Sequence, residues 1–559
     1  MESFCGINDA GRYEVYTGFW TDWTNGPVFG ATITLSKREA SVLIAFTALF
    51  VSVVGTSFWR ICCFALHQYH SKAVAQDALY HQRQAIFRNA ANGSSGLWAL
   101  LRIWWEWRKT AVDRPSLRLL PAVGFAACCV SIFAVAGMLS SKTLRAANGV
   151  LVRSPGCGIL DVDNNPNLED ALSDFYPWVA QAIGSWATYA QDCYLNFSDL
   201  GSCNAFMQPR LPSRIERNAS CPFEDGICEN EYGNIEFDSY LDSHFDLGLN
   251  APPHERVFFR RVTTCDPIRT EGHRTMYRSP ETGMNYSRYH YGPTTGGYSA
   301  YEYTYEHPEI DWRSAPGEWE TGSVSGDRYT VHIRRAVLSN GSYTGLSGYD
   351  PIPALRQQDA DVHVFFLSAN SILYTEKVSD AWYAATTKST AITSTEHGRT
   401  IGRIPTYKAD RSVSVLGCSI REQYCNPNLP ADEGCSPFGG THESRSLADD
   451  LQWKDGKQRA AFDWLSAIIQ SYSITVEAIP GDLREGALLA TYKAQAAISG
   501  GLPSNQWQLE AENWHAATLV ALQASVTKVA KGTTDDKLKP FLRLPNNKEE
   551  RNLCNSQVT

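Results

Sequence analysis

The sequence contains no CxxC pair, no HExxH, no GxSxG, no GxxxxGK[ST] and no GxGxxG after a strand-like run. Those absences remove the signals of a zinc ribbon, a zincin, a hydrolase nucleophile elbow, a P-loop and a dinucleotide-binding fold. His442-Glu443 lacks the second histidine that a zincin needs. Basic residues are in deficit as well, with 50 Lys and Arg against 59 Asp and Glu and a net charge of −9. A nucleic-acid partner, which requires a basic face, is not expected. A cleavable signal peptide is also missing, because residues 1–39 are polar and aromatic rather than a basic tip followed by an apolar run. Carboxylates are plentiful, but nothing singles out a pair. No catalytic residue, metal or cofactor is assigned.

Charge is missing from two stretches. Ala40 to Trp59 runs 20 residues without a charged side chain, and Leu119 to Ser141 is likewise uncharged. About 20 helical residues cross a hydrocarbon core of roughly 30 Å. Neither stretch carries the polar stripe usual in a core helix. Both read as transmembrane helices, the first an uncleaved signal anchor.

The loop between them, residues 60–118, carries nine Lys or Arg against three acids, which places it in the cytosol. Four sequons follow the second stretch, at Asn196, Asn218, Asn285 and Asn340. The same region holds ten cysteines: Cys157, Cys193, Cys203, Cys221, Cys228, Cys265, Cys418, Cys425, Cys435 and Cys554. Scattered and even in number, they suit up to five disulfides in an oxidising compartment. Cys221 with Cys228, and Cys418 with Cys425, resemble small local loops. Cys5 would be an eleventh cysteine on that side. Cys62 and Cys63, at the cytosolic end of the first span, are either palmitoylation sites or reduced thiols, while Cys128 and Cys129 are packing residues.

Within the loop, LWALLRIWWEWRK places Trp98, Trp104, Trp105 and Trp107 beside Arg102, Arg108 and Lys109. Tryptophan favours the headgroup layer, and basic residues favour anionic lipid. The segment reads as an interfacial helix, with the lipid bilayer as its partner. Upstream, residues 67–90 read as one polar helix on which His67, His70 and His81 are solvated rather than ligands.

The topology expected is an extracytoplasmic segment over residues 1–39, a span over 40–59, a cytosolic loop over 60–118, a span over 119–141 and an extracytoplasmic domain over 142–559. That domain reads as α+β. Its helical start, near Trp178, Ile183 and Trp186, leads into a β-rich middle and a helical end carrying Leu519, Leu522, Val526 and Val529. Asp161, Asp163, Asn165 and Asn167 mimic an EF-hand loop, but Pro166 and Leu172 break the pattern. A turn and helix cap explain them better. Tyr301, Tyr303 and Tyr305 alternate as on one strand face and, with RYHYGPTTGG at 288–297, make a tyrosine-rich surface that lines a half-buried sheet or stacks a sugar or planar ligand. Asp361 to Tyr374 reads as buried strand.

Several stretches together (CGINDAGRYEVYTGFWTDWTNG, GTSFWRI, YHQRQAIFRNAANGSSGLW, RYHYGPT and the late ENWHAATL…LC) resemble a family of uncharacterised integral membrane proteins from filamentous ascomycete fungi. The resemblance runs over nearly the whole chain. It carries no catalytic residue. The family's third apolar span has no counterpart after Val529. Some members are encoded in secondary-metabolite clusters of the pyrrocidine-like polyketide–nonribosomal peptide type. The resemblance thus implies a membrane-anchored accessory protein, or enzyme, that assists modification or cyclisation of an apolar intermediate beside membrane-anchored oxygenases. The alternative is a non-enzymatic secretory-pathway or cell-surface glycoprotein binding a partner or carbohydrate. A transporter is least supported, because two uncharged spans offer no polar path.

Overall fold

The computed structural model describes residues 15–108, 114–143, 149–165, 167–195, 203–295, 300–309, 329–343, 345–369, 372–393, 402–472, 474–495 and 497–558. The chain divides into two compact units, a smaller one over 32–148 with 17–20 and a larger one over 149–559 with 21–31. Cys5, Lys109 and the Asn196 sequon lie outside the described residues.

The smaller unit is helical. Helix α1 (Lys37–His70) begins at a capping box, in which Ser36 accepts from the Glu39 backbone N–H while the Glu39 carboxylate accepts from that of Ser36. It is followed by α2 (Ala78–Asn89), α3 (Gly93–Trp107) and α4 (Pro115–Thr143). Helices α1 and α4 are long and apolar enough to cross a membrane. Along α1, Phe46, Leu49, Phe50 and Val53 are all more than half exposed, an outward apolar surface that suits lipid rather than water. Residues 67–90 do not form one helix. Helix α1 stops at His70, and Asp77 caps α2 by accepting from the Tyr80 N–H, so the chain turns between them. His67 is held against Gln84 at 2.5 Å.

Trp59 is 1% exposed at the centre of this unit, packed with Leu79, Phe87, Leu100, Leu119 and Val123. Gly96 of α3 lies directly against it. A Cβ there would stand 2.2 Å from the indole, so only glycine lets the two helices approach this closely.

The larger unit is built on a six-stranded antiparallel sheet. Its strands are β1 (Arg214–Ala219), β2 (Asn234–Asp242), β3 (Phe258–Ile268), β7 (Thr330–Ala336), β8 (Asp361–Ser368) and β9 (Ser414–Cys425). The spatial order is β7-β8-β9-β3-β2-β1. A second antiparallel sheet joins β4 (Arg274–Arg278), β5 (Asn285–Tyr289) and β6 (Tyr305–Glu309). Alternation along β8 divides the core: Phe365 and Leu367 face one side, while Val362, Val364 and Phe366 face the other. The first side is covered by α5 (Tyr176–Ala190), through Ile183 and Trp186, and by α7 (Gln506–Lys531), through Trp514 and Val520. Leu519, Leu522, Val526 and Val529 of α7 turn instead into a neighbouring cluster with α6 (Gly456–Tyr472). The second side receives Tyr289, Tyr291 and Tyr305 from the small sheet.

All eight residues of β8 are buried, as an apolar run at the centre of a two-sided sheet requires. Asp161 caps a short turn and Asn167 caps the next one, so the EF-hand-like spacing is a pair of caps. The alternation of Tyr301, Tyr303 and Tyr305 does not form one strand, because β6 begins only at Tyr305.

Five disulfides pin the larger unit: Cys157–Cys554, Cys193–Cys203, Cys221–Cys228, Cys265–Cys418 and Cys425–Cys435. The local loop expected for Cys418 and Cys425 is not formed. Both lie on β9 at odd spacing, so their side chains leave opposite faces. Cys418 instead meets Cys265, its direct neighbour in register on β3, and Cys425 meets Cys435 beyond the end of the strand.

Candidate functional site

The small sheet presents its outer face as an aromatic surface around one cation. Register places Tyr277 opposite Tyr286, and Arg288 opposite Thr275, on the same face. The Arg288 guanidinium lies 3.9 Å from the Tyr277 ring centroid and 4.5 Å from that of Tyr303. Glu306 fixes it, accepting from Arg288 Nε at 2.6 Å and from the Tyr277 hydroxyl at 2.8 Å. Tyr286 stacks on Tyr277 at 5.7 Å and Tyr301 on Tyr303 at 5.0 Å, which extends the surface on both sides. Tyr301 is 48% exposed. Rings flanking a held guanidinium offer a flat ligand both a stacking surface and a charged donor. The tyrosines thus divide: Tyr289, Tyr291 and Tyr305 are packing residues, and Tyr277, Tyr286, Tyr301 and Tyr303 are surface.

Beneath that face lies a carboxylate cluster. Glu309 accepts from Arg274, Ser287 and Ser412, and these donors together outweigh burial, holding its carboxyl below the ordinary range. Tyr305 stacks on His332 at 4.7 Å, and burial with Arg334 nearby lowers that imidazole to about 4.

The helix-facing side of the large sheet carries a dry polar ladder. Ser239, Arg261 and Glu422 stand side by side on β2, β3 and β9. Arg261 and Glu422 form a buried ion pair at 2.6 Å, 3% and 1% exposed. His515 of α7 stacks on Phe237 and shares Nε2 with Ser213 at 2.9 Å and Ser239 at 3.4 Å. The pairing resembles a nucleophile and its base, but its environment opposes that role. Burial, with Arg261 nearby, lowers His515 to about 3, and its Nδ1 has no partner to orient it. Glu510 and Asp380 are equally internal. Glu510 accepts from the Leu489 and Ala490 N–H groups, and Asp380 from that of Trp507 at the start of α7. Burial raises them to about 7 and about 6.

Two adjoining clefts, of about 450 and 480 Å³, open beside α6 and share Lys457 and Glu549. Charged side chains of both signs, among them Asp463, Arg459, Arg153 and Lys548, line them together with apolar surface.

One group of metal-ligating types stands together among the described residues: Cys221, Cys228 and Asp266, with one ligand atom each within 4.8 Å of the others. The two cysteines are bonded to each other, so neither offers a thiolate to a cation.

The four tryptophans of α3 separate into two pairs. Trp98 and Trp105 are 72% and 57% exposed. Trp104 and Trp107 pack on the helical cluster, donating to Ser116 and Gln82. The sequon asparagines Asn218, Asn285 and Asn340 are exposed, although Ser287 of the second is buried. Asn92 is also exposed and caps α3.

A tyrosine-rich surface is legible in the sequence, but the seat of Arg288 between Tyr277 and Tyr303 is not. Its only signal is the period-two spacing in RTMYR and NYSRY, which fixes faces but not partners. Comparison with family models, curated proteins and solved structures finds no match to this chain.

Proposed function

We propose that α1 and α4 cross the bilayer, that residues 60–118 face the cytosol, and that the α+β unit lies outside it, in the secretory pathway or at the cell surface. The partition of the cysteines carries this reading. All ten cysteines described in the larger unit are paired, whereas the four free ones among the described residues, Cys62, Cys63, Cys128 and Cys129, belong to the unit with the apolar helices. Disulfides persist in oxidising compartments and are rare in the cytosol. Trp98 and Trp105 then serve as headgroup anchors, while Trp104 and Trp107 brace their helix.

Within that topology the chain is a membrane-anchored accessory protein of fungal secondary-metabolite biosynthesis, working beside membrane-anchored oxygenases on an apolar polyketide–peptide intermediate. The family resemblance supplies this role, and the Arg288 surface supports it, since it suits a flat molecule with an anionic or hydrogen-bonding group. A second reading, a cell-surface glycoprotein that stacks a sugar, draws on the exposure of Tyr301 and the exposed sequons.

The test is deletion of the gene in the native fungus with metabolite profiling, then complementation with wild type and with Arg288→Ala/Tyr303→Ala. Loss of one compound family, restored by wild type and not by the double variant, supports the biosynthetic role. An unchanged profile contradicts it and favours the glycoprotein.

A further inference from the structure

Asp266 is the most isolated carboxyl among the described residues of the larger unit. It lies on β3 opposite Gly417 of β9, is 0% exposed, and neither of its oxygens has a hydrogen-bond partner. A buried polar group with no partner is costly, and its retention asks for a chemical reason. A disulfide stands beside it. A carboxylate oxygen of Asp266 and the sulfurs of Cys221 and Cys228 all lie within 4.8 Å of one another. Among the described residues, no other disulfide has a histidine or carboxylate that close to both its sulfurs. The bond spans only seven residues, with Cys228 4% exposed and Cys221 half-buried, so Cys221 is the more accessible partner and Cys228 is enclosed with the carboxyl.

We propose that Cys221–Cys228 is an exchangeable disulfide, opened by a dithiol, with Asp266 as the proton donor to the departing sulfur. A thiolate of the dithiol attacks Cys221 Sγ, forming a mixed disulfide as the Cys221–Cys228 bond breaks. Cys228 leaves as a thiolate in a dry pocket, where charge is costly, and takes the proton of the Asp266 carboxyl. The second thiolate of the dithiol then displaces Cys221 from the mixed disulfide. Two electrons pass from the dithiol, which becomes a disulfide, to the pair, which becomes two thiols. The two protons released by the dithiol balance those taken up by Cys221 and, through solvent, by Asp266. In the reverse direction the Asp266 carboxylate accepts the Cys228 proton.

The test is timed reduction of the full-length protein in detergent by dithiothreitol, with alkylation of new thiols and mass-spectrometric assignment of each disulfide. Cys425–Cys435 is the internal control, since Cys435 is also half-buried and its bond spans ten residues. In the wild type Cys221–Cys228 should open before Cys425–Cys435. In Asp266→Asn its opening should slow by roughly tenfold or more, with the control unchanged and Asp266→Glu recovering part of the rate. Opening of the control first in the wild type overturns the proposal without any variant. Equal rates in wild type and Asp266→Asn, or equal slowing of both disulfides, overturn it as well.

Discussion

Cys157 is bonded to Cys554 over a sequence separation of 397 residues, and Val152 pairs with Ser556 beside it. The segment that begins at residue 149 and the last described residues are thereby joined in one place. A cross-link over so long a loop restricts the unfolded chain strongly, and its removal typically costs about 2–5 kcal/mol. The double substitution Cys157→Ala/Cys554→Ala is expected to lower the Tm of the larger unit by several degrees. Thermal unfolding followed by tryptophan fluorescence checks this.

Asp266 gives the protein a definite pH dependence. Burial, with no opposing charge, raises its carboxyl from 3.8 to about 9. Between those values the unfolded chain has released a proton that the folded chain keeps. Stability from this group is therefore complete below 3.8 and falls as pH rises, by about 1.4 kcal/mol per pH unit. Asp266→Asn removes the slope. The stability gap between variant and wild type should widen in the variant's favour from pH 5 to pH 8, as read by urea unfolding.

The Arg261–Glu422 pair is expected to be costly to break and cheap to replace. Arg261→Met alone leaves a buried carboxylate without its partner, at about 3–5 kcal/mol. Arg261→Met/Glu422→Leu removes both charges and should recover most of that loss. A double-mutant cycle with denaturant midpoints measures it.

Gly96→Val tests the contact with Trp59. The added methyls meet an indole already in van der Waals contact, and overpacking of this kind costs about 1–3 kcal/mol. The variant should show faster proteolysis between α3 and α4 in detergent, with the larger unit unaffected.

Much of this architecture is legible in the sequence because it depends on local composition. The two uncharged runs, the buried strand expected over 361–374, of which only 361–368 forms it, and the apolar spacing along 519–529 each declare themselves within a few turns or residues. What escapes is whatever depends on register. Cys418 points to Cys265, 153 residues away, because two strands align there, and no spacing encodes that. Arg288 meets Tyr277 and Tyr303 for the same reason. The split of the α3 tryptophans depends on which face the neighbouring helices cover. Asp266 is the single acid of a strand that also carries two arginines and two threonines, and its isolation is visible only once the sheet and the disulfide enclose it.

The central claim concerns sides of a membrane, and site-by-site glycan mapping tests it most directly. The full-length protein, expressed in a fungal host, is treated with an N-glycosidase in heavy-oxygen water and sequenced by mass spectrometry. Sugar on Asn218 and Asn340 with none on Asn92 is the expected result. A glycan on Asn92 would place the tryptophan helix outside and contradict the topology on which the proposed function rests.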